Sequence, residues 1–320
     1  MMQMLLGTSS SGIVVPDIDE LYMTIGYTGN GNNRTLNYSD LNRTSNEEMV
    51  VISKVRTGGA REFIIGSSLF DQNNVLRPKQ TSGFSYQGGT YGTFSNTQVI
   101  VGSNDLLARN NESIIHHIFR THPGFMEVVQ YTGNGTAGRT VSHDLGVDVG
   151  AVWVKRTDGG SEDWTCYWKY LGNNKRMELN NTNNSATSSA FNNTHPTKTT
   201  LTLGSDSSTN GNGSSYIAFI FAEDTDSVIS CGGFVGNGGT KTITLGWEPG
   251  LVLYKGATIG NNWHLVSHTA TGKAMNLDEG NEEYNHSNYT STSTGFTMAA
   301  SGSQNQNNHS YVYMAIANPT

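Results

Sequence analysis

Several groups in this chain of 320 residues have types and spacing that chemistry can use. The first is a glycine-asparagine turn, YTGNG at 27–31, written again as YTGNG at 131–135 and as FVGNG at 234–238. Backbone amides of such a turn can cradle a phosphate. That use needs a helix opening after the glycines or a G-x-x-x-x-G-K-[ST] spacing, and neither follows. A strand-like segment follows each copy, so the expectation is a hairpin turn, with Gly supplying positive φ and Asn tolerating the left-handed region.

Metal and catalytic groups are thinly spread. His116 and His117 adjoin in SIIHHIF, so on a strand they point to opposite faces. His264 and His268 in WHLVSH share a strand face but stand about 13 Å apart, too far for one zinc. Cys166 and Cys231 lie 65 residues apart without a metal or redox motif, and are expected as buried free thiols. The carboxylate clusters are Glu162-Asp163, Asp224 with Asp226, and Asp278-Glu279 with Glu282-Glu283. A glycosidase needs two acids facing across a cleft, and no pair is singled out by spacing. No G-x-S-x-G elbow or Ser/His/Asp arrangement is recognisable. The expectation is a non-enzyme with no catalytic residues, no metal and no cofactor.

Aromatic and amide side chains offer more. In DWTCYWKY, Trp164, Cys166, Trp168 and Tyr170 share one strand face. Flat aromatic faces stack on sugar rings, and asparagine amides supply the donors and acceptors that neutral glycans need. Trp153 and Trp164 align with apolar or aromatic residues elsewhere in the chain and are expected in the core. Trp168 has no aligned aromatic and is the candidate glycan contact. Beside it stand the asparagines of the loops LNNTNNSATSS and SSTNGNGSS: Asn180, Asn181, Asn183, Asn184, Asn210 and Asn212.

The elements that position these groups recur. The turns stand 104 and 103 residues apart. After each comes an apolar strand ending in lysine, MVVISK to Lys54, AVWVK to Lys155 and LVLYK to Lys255, and then an aromatic at Phe63, Trp164 and Trp263. QVIVGS, LTLGSD and FTMAAS place Val99, Leu201 and Phe296 in register. Ser113, Ser215 and Ser310, each 11 residues beyond Gly102, Gly204 and Ala299, open SIIHHIF, SYIAFIF and SYVYMAI. Each copy spans about a hundred residues, the size of a domain rather than a solenoid unit. Short apolar runs broken by Gly/Asn/Ser/Thr clusters predict an all-β chain. SYVYMAI looks buried on both faces, which favours a two-layer sandwich of jelly-roll type. The expected organisation is a segment 1–16 followed by sandwiches at 17–123, 124–227 and 228–320, joined by short linkers and touching one another.

Net charge −7 without a Lys/Arg cluster argues against nucleic acid as partner. No run approaches the roughly 18 apolar residues of a membrane helix. The opening MMQMLLGTSSSGIVV lacks the basic stretch of a signal peptide.

With these landmarks in view, the chain resembles a family of repeat domains found in tail fibre and other virion proteins of marine and cyanobacterial phages. The carrying stretches are MLLGTS, YTGNGTAGRTVSHDLG, AVWVKRTD, DWTCYWKYLG, LTLGSDSSTNGNGSSYIAFIFAE and CGGFVGNG with LGWEPGLVLYK. The first copy departs from the pattern by lacking tryptophan. The resemblance implies a virion structural or host-adhesion role, with other tail or capsid proteins and host-surface polysaccharide as partners and a homotrimer by analogy. The opening segment, with Met4, Leu5 and Leu6, is the expected attachment to a neighbouring virion protein. A purely architectural tail or capsid decoration and a polysaccharide depolymerase are the alternatives.

Overall fold

The computed structural model describes residues 12–319, apart from Ser45 and Gln72. The chain is all-β, as its short apolar runs require. One pairing scheme occurs in each copy. In the first, Tyr22–Thr28 lies beside Ser113–Arg120, then Met49–Val55, then Ile64–Ser67. In the second the order is Met126–Thr132, Ser215–Ala222, Val149–Arg156, Thr165–Trp168, and in the third Ile229–Val235, Ser310–Ala317, Pro249–Gly256, His264–Ser267. Register repeats to the residue: Lys54 opposes Ile115, Lys155 opposes Ile217, and Lys255 opposes Val312. A smaller sheet accompanies each large one and pairs Leu36 with Val99, Val141 with Leu201, and Ile243 with Phe296.

The glycine-asparagine turn is not a hairpin. The strand before it belongs to the large sheet and the strand after it to the small sheet, so it is the corner where the chain changes layers. The segment before the last strand of the copy holds it there. Gly31 donates to Ala108 O at 2.6 Å, Gly135 to Asn210 O at 2.8 Å and Gly238 to Asn305 O at 3.0 Å. The first glycine is needed for close approach, since a Cβ at Gly29, Gly133 or Gly236 would run into the backbone of that segment. The last glycine is needed for its φ, +75°, +68° and +68° at Gly31, Gly135 and Gly238. In the second and third copies all three amides of the turn are already used, and in the first both glycine amides are.

Each large sheet is buried on both faces, for two different reasons. Alternate residues of Met49–Val55 serve two cores. Met49, Val51 and Val55 pack within the first copy's own sandwich with Leu36, Val99 and Ile118. Val50 and Ile52 face the other way, where they meet Trp153 and Phe221 of the second copy and Leu251, Leu253 and Ile316 of the third. The three large sheets thus surround one apolar axis. The gap left there is about 30 Å³, lined by apolar side chains only, so it stays dry. The double burial read in SYVYMAI therefore reflects packing between copies as much as the sandwich itself. The copies touch, as expected, but the second, the third and the axis side of the first share one apolar cluster instead of three separate cores.

The junctions close in a ring. Arg56, Thr157 and Ala257 each stand two residues after the repeated lysine, and each offers its carbonyl to the preceding copy. Phe84 N donates to Thr157 O at 3.2 Å, Ser185 N to Ala257 O at 2.8 Å, and Glu283 N to Arg56 O at 3.0 Å. The last of these joins the third copy back to the first. The aromatic after the lysine does the same work at two junctions: Trp164 Nε1 donates to Arg77 O at 3.1 Å and Trp263 Nε1 to Glu178 O at 2.9 Å. At the closing junction Arg56 holds Glu283 at 2.8 Å, with both side chains largely covered.

Candidate functional site

The repeated lysines are the most buried charges in the ring, and each lies 0% exposed beneath a junction. Lys155 Nζ donates to Thr81 O of the first copy at 2.6 Å and to Glu162 O. Lys54 donates to Arg61 O and Lys255 to Asn261 O. Burial pulls Lys54 and Lys155 down to about 8, and pulls Lys255 down as well against the opposing pull of Asp278. Their donors are spent on carbonyls, so their role is to tie the junction loops down.

The histidines lie inside. His116 Nδ1 is 2.6 Å from Ser53 Oγ within the first sandwich, and His117 Nδ1 is 2.9 Å from Tyr22 Oη on the axis side, so the adjacent pair does face opposite ways. His264 starts a chain in the third sandwich. Gln304 Nε2 donates to its Nε2 at 3.2 Å, so Nδ1 carries the proton and donates to Tyr284 Oη at 2.6 Å, which donates to Asn276 Oδ1 at 2.9 Å. Tyr254 Oη reaches His286 Nε2 at 2.6 Å. Desolvation pushes His116, His117 and His264 down to about 3 and His286 to about 4, so all four are neutral near pH 7. His268 lies in a 3-10 turn after the strand and bonds Gly250 O at 3.1 Å. Among the described residues no group of three or more His, Cys, Asp or Glu could hold a metal. Cys166 and Cys231 are free and buried.

Several expected glycan contacts are structural. Trp168 is 1% exposed, on the axis face, stacked on Trp263 of the third copy with centroids 5.8 Å apart. Its lack of an aligned aromatic reflects one particular junction, where Ser67 and Ser267 occupy the matching register positions. Asn210 is 0% exposed. Its side chain accepts from Asn134 N at 2.9 Å and donates to Gly204 O at 2.6 Å, pinning the layer-changing corner, as Asn305 does in the third copy. Asn180 Oδ1 accepts from Trp164 N at 2.9 Å and so supports the junction tryptophan, as Asp278 does for Trp263 at 3.0 Å. Asn181 and Asn183 donate to Glu178 Oε2 at 2.6 and 3.1 Å, which folds their loop on itself. Asn183, Asn184 and Asn212 are exposed. Met4, Leu5 and Leu6 lie outside the described residues.

Sequence reasoning missed a cleft in the first copy. Gly66 takes the register position of Tyr167 and Val266 in the other copies, opposite Val51, Val152 and Val252. In the second copy Tyr167 fills the sandwich mouth, packing on Phe191 at 5.5 Å and bonding His195 Nδ1 at 2.6 Å. In the first, Tyr91 leans over Gly66, whose added Cβ would lie 2.6 Å from its ring. Beyond it opens a small cleft of about 80 Å³, continuous with solvent and lined by Ser67, Phe70, Asn74 and Phe94 among others. Tyr86, 72% exposed, stands on its rim opposite the lining residue Asn74. The signal was present in MVVISKVRTGGAREFIIGSS: a glycine stands where the other copies carry a side chain.

Among carboxyls, Glu127 stands out, raised to about 7 by burial and by the nearby Asp144. No helix among the described residues is long and apolar enough to cross a membrane.

No curated protein matches the chain. A family model matches residues 124–319, beginning at Gly124, where the second copy begins, and running through the third. The chain belongs to this family, described as a domain of unknown function (DUF7483).

Proposed function

We propose that the chain is a non-enzymatic structural protein of a phage virion, of tail-fibre or spike type. In this reading it attaches through its N-terminal segment and presents outer loops to host-surface polysaccharide. The observation that carries the reading is the closed ring, with one junction bond repeated at Thr157, Ala257 and Arg56. Such a body holds related loop clusters at fixed spacing on one rigid frame. That spacing suits repeated contact with a polymeric surface, where each added contact acts at high effective concentration. The described end of the N-terminal segment lies against the second copy, where Val15 is buried beside Gly124 and Ile13 packs over Gly146. A homotrimer of these rings would use outer surfaces, because the axis-facing sheets already bury one another. Gold-labelled antibody against the chain, applied to purified particles, tests the reading. Label on the tail supports adhesion, label on the head supports the architectural alternative, and bare particles overturn the virion assignment.

One observation favours the depolymerase alternative. Burial and the nearby Asp144 raise the Glu127 carboxyl to about 7, in the range a general acid needs. New reducing ends from host polysaccharide, lost in Glu127→Gln, would establish it.

A further inference from the structure

We propose that His117 is an acid-released latch, whose protonation opens the ring where the third copy closes onto the first. The starting observation is a departure from the repeat on the axis face. Ile52, Trp153 and Leu253 hold one register position and oppose His117, Phe219 and Met314. On the edge strand of each large sheet, Tyr22, Met126 and Ile229 oppose Phe119, Phe221 and Ile316. The second and third copies thus bring apolar side chains to both positions, whereas the first brings a tyrosine and a histidine. The two are matched to each other. Tyr22 Oη lies 2.9 Å from His117 Nδ1, and the rings stack with centroids 6.2 Å apart.

The closed ring accommodates His117 only as the neutral ring. Its Nε2 is buried without a hydrogen-bond partner, so an imidazolium would carry an N–H that nothing accepts. The titratable and charged groups around it come from both sides of the junction. They are the Tyr22 hydroxyl, which Ser267 of the third copy also reaches, Arg56 with its partner Glu283, and His268 of the third copy. Burial opposes the imidazolium most, and His268 and Arg56 add like charge, so the ring is held down to about 3. Thr157 and Ala257 stand where Arg56 does, so neither of the other junctions sets a cation beside the axis. His116, His264 and His286 sit inside sandwiches and are wetted when a sandwich unfolds, whereas parting of two copies suffices for His117. Below the ordinary 6.5 the open form takes up a proton that the closed form refuses. Each further unit of pH then favours opening about tenfold. This latch operates whatever the outer loops bind.

The test is amide hydrogen exchange of the full chain at pH 7 and pH 5, read by peptide mass spectrometry. It compares three equivalent junction amides: Glu283 N on Arg56 O, Phe84 N on Thr157 O and Ser185 N on Ala257 O. After correction for the intrinsic rate, protection at Glu283 should fall roughly twentyfold at pH 5. Phe84 and Ser185 should keep theirs. His117→Phe and His117→Met bring in the side chains that the second and third copies carry at this register, and each should abolish the selective loss. No fall at Glu283, an equal fall at all three amides, or a selective loss that survives both substitutions overturns the latch.

Discussion

The ring junctions and the sandwich mouths are built from the same repeated strands, yet they have been held to different rules. At the junctions the copies agree in detail: a lysine buried beneath, an aromatic beside it, and a carbonyl two residues on that accepts from the neighbouring copy. At the mouths they disagree, with Gly66, Tyr167 and Val266 at one register position. A junction must fit two copies at once, so its lysine, aromatic and carbonyl recur even where the surrounding contacts differ, as Trp168 on Trp263 and Arg56 on Glu283 do. A mouth answers to nothing but its own sandwich. Structure is therefore to be sought where the copies agree and recognition where they differ.

The strongest way to break this contrast is to place charge on the axis. Leu253→Asp buries an unpaired carboxylate among the three sheets and is expected to cost more than about 4 kcal/mol by urea unfolding. The same change at Ile100, 46% exposed on the outer face of a small sheet, should stay within about 0.5 kcal/mol. Next come the junction aromatics. Phe63→Ala, Trp164→Ala and Trp263→Ala should each cost about 3–5 kcal/mol, and similar values from all three would sharpen the claim of equivalent junctions. A single outlier would identify a junction that bears less of the ring.

Acid provides a smaller test. The histidines at 116, 117, 264 and 286 have folded values near 3 to 4, below the ordinary 6.5. Below pH 6.5 the unfolded chain takes up protons that the folded chain refuses, so stability is lost as pH falls through that window towards the folded values. Glu127, raised to about 7, works in the opposite direction for one proton. With four such histidines set against one glutamate, a net fall in stability between pH 7 and pH 5 is expected from urea midpoints. A flat profile would mean that these rings are open to water. The smallest effect belongs to the corner: Asn210→Ala should cost roughly 1–3 kcal/mol by losing buried hydrogen bonds. The first copy carries Ala108 in the place of Asn210 and Asn305, so this side-chain pin belongs to the second and third copies only.

Much of the fold was legible because β periodicity and fixed spacing survive in sequence. Val99, Leu201 and Phe296 fall opposite Leu36, Val141 and Ile243 as the landmarks required. Change of layer was not legible at YTGNG, since Gly and Asn signal a turn whatever the next strand pairs with. The junction roles of Trp168 and Asn180 leave no mark of their own, because a lone tryptophan or amide looks the same in sequence at a junction as at a surface. The axis did leave a trace. MVVIS and AVWVK are apolar at successive positions, the mark of strands covered on both faces, but nothing in them says by what. The cleft at Gly66 could be found only after the register had shown which residues it replaces.

Closure of the third copy onto the first is the central claim, and the pair Lys79 Nζ and Glu279 Oε2, 4.0 Å apart across that junction, tests it directly. Zero-length carbodiimide coupling of the purified chain, followed by peptide mass spectrometry of the monomer band, should yield a Lys79–Glu279 isopeptide within one chain. Its absence from the monomer, or its appearance only between chains, would contradict the ring.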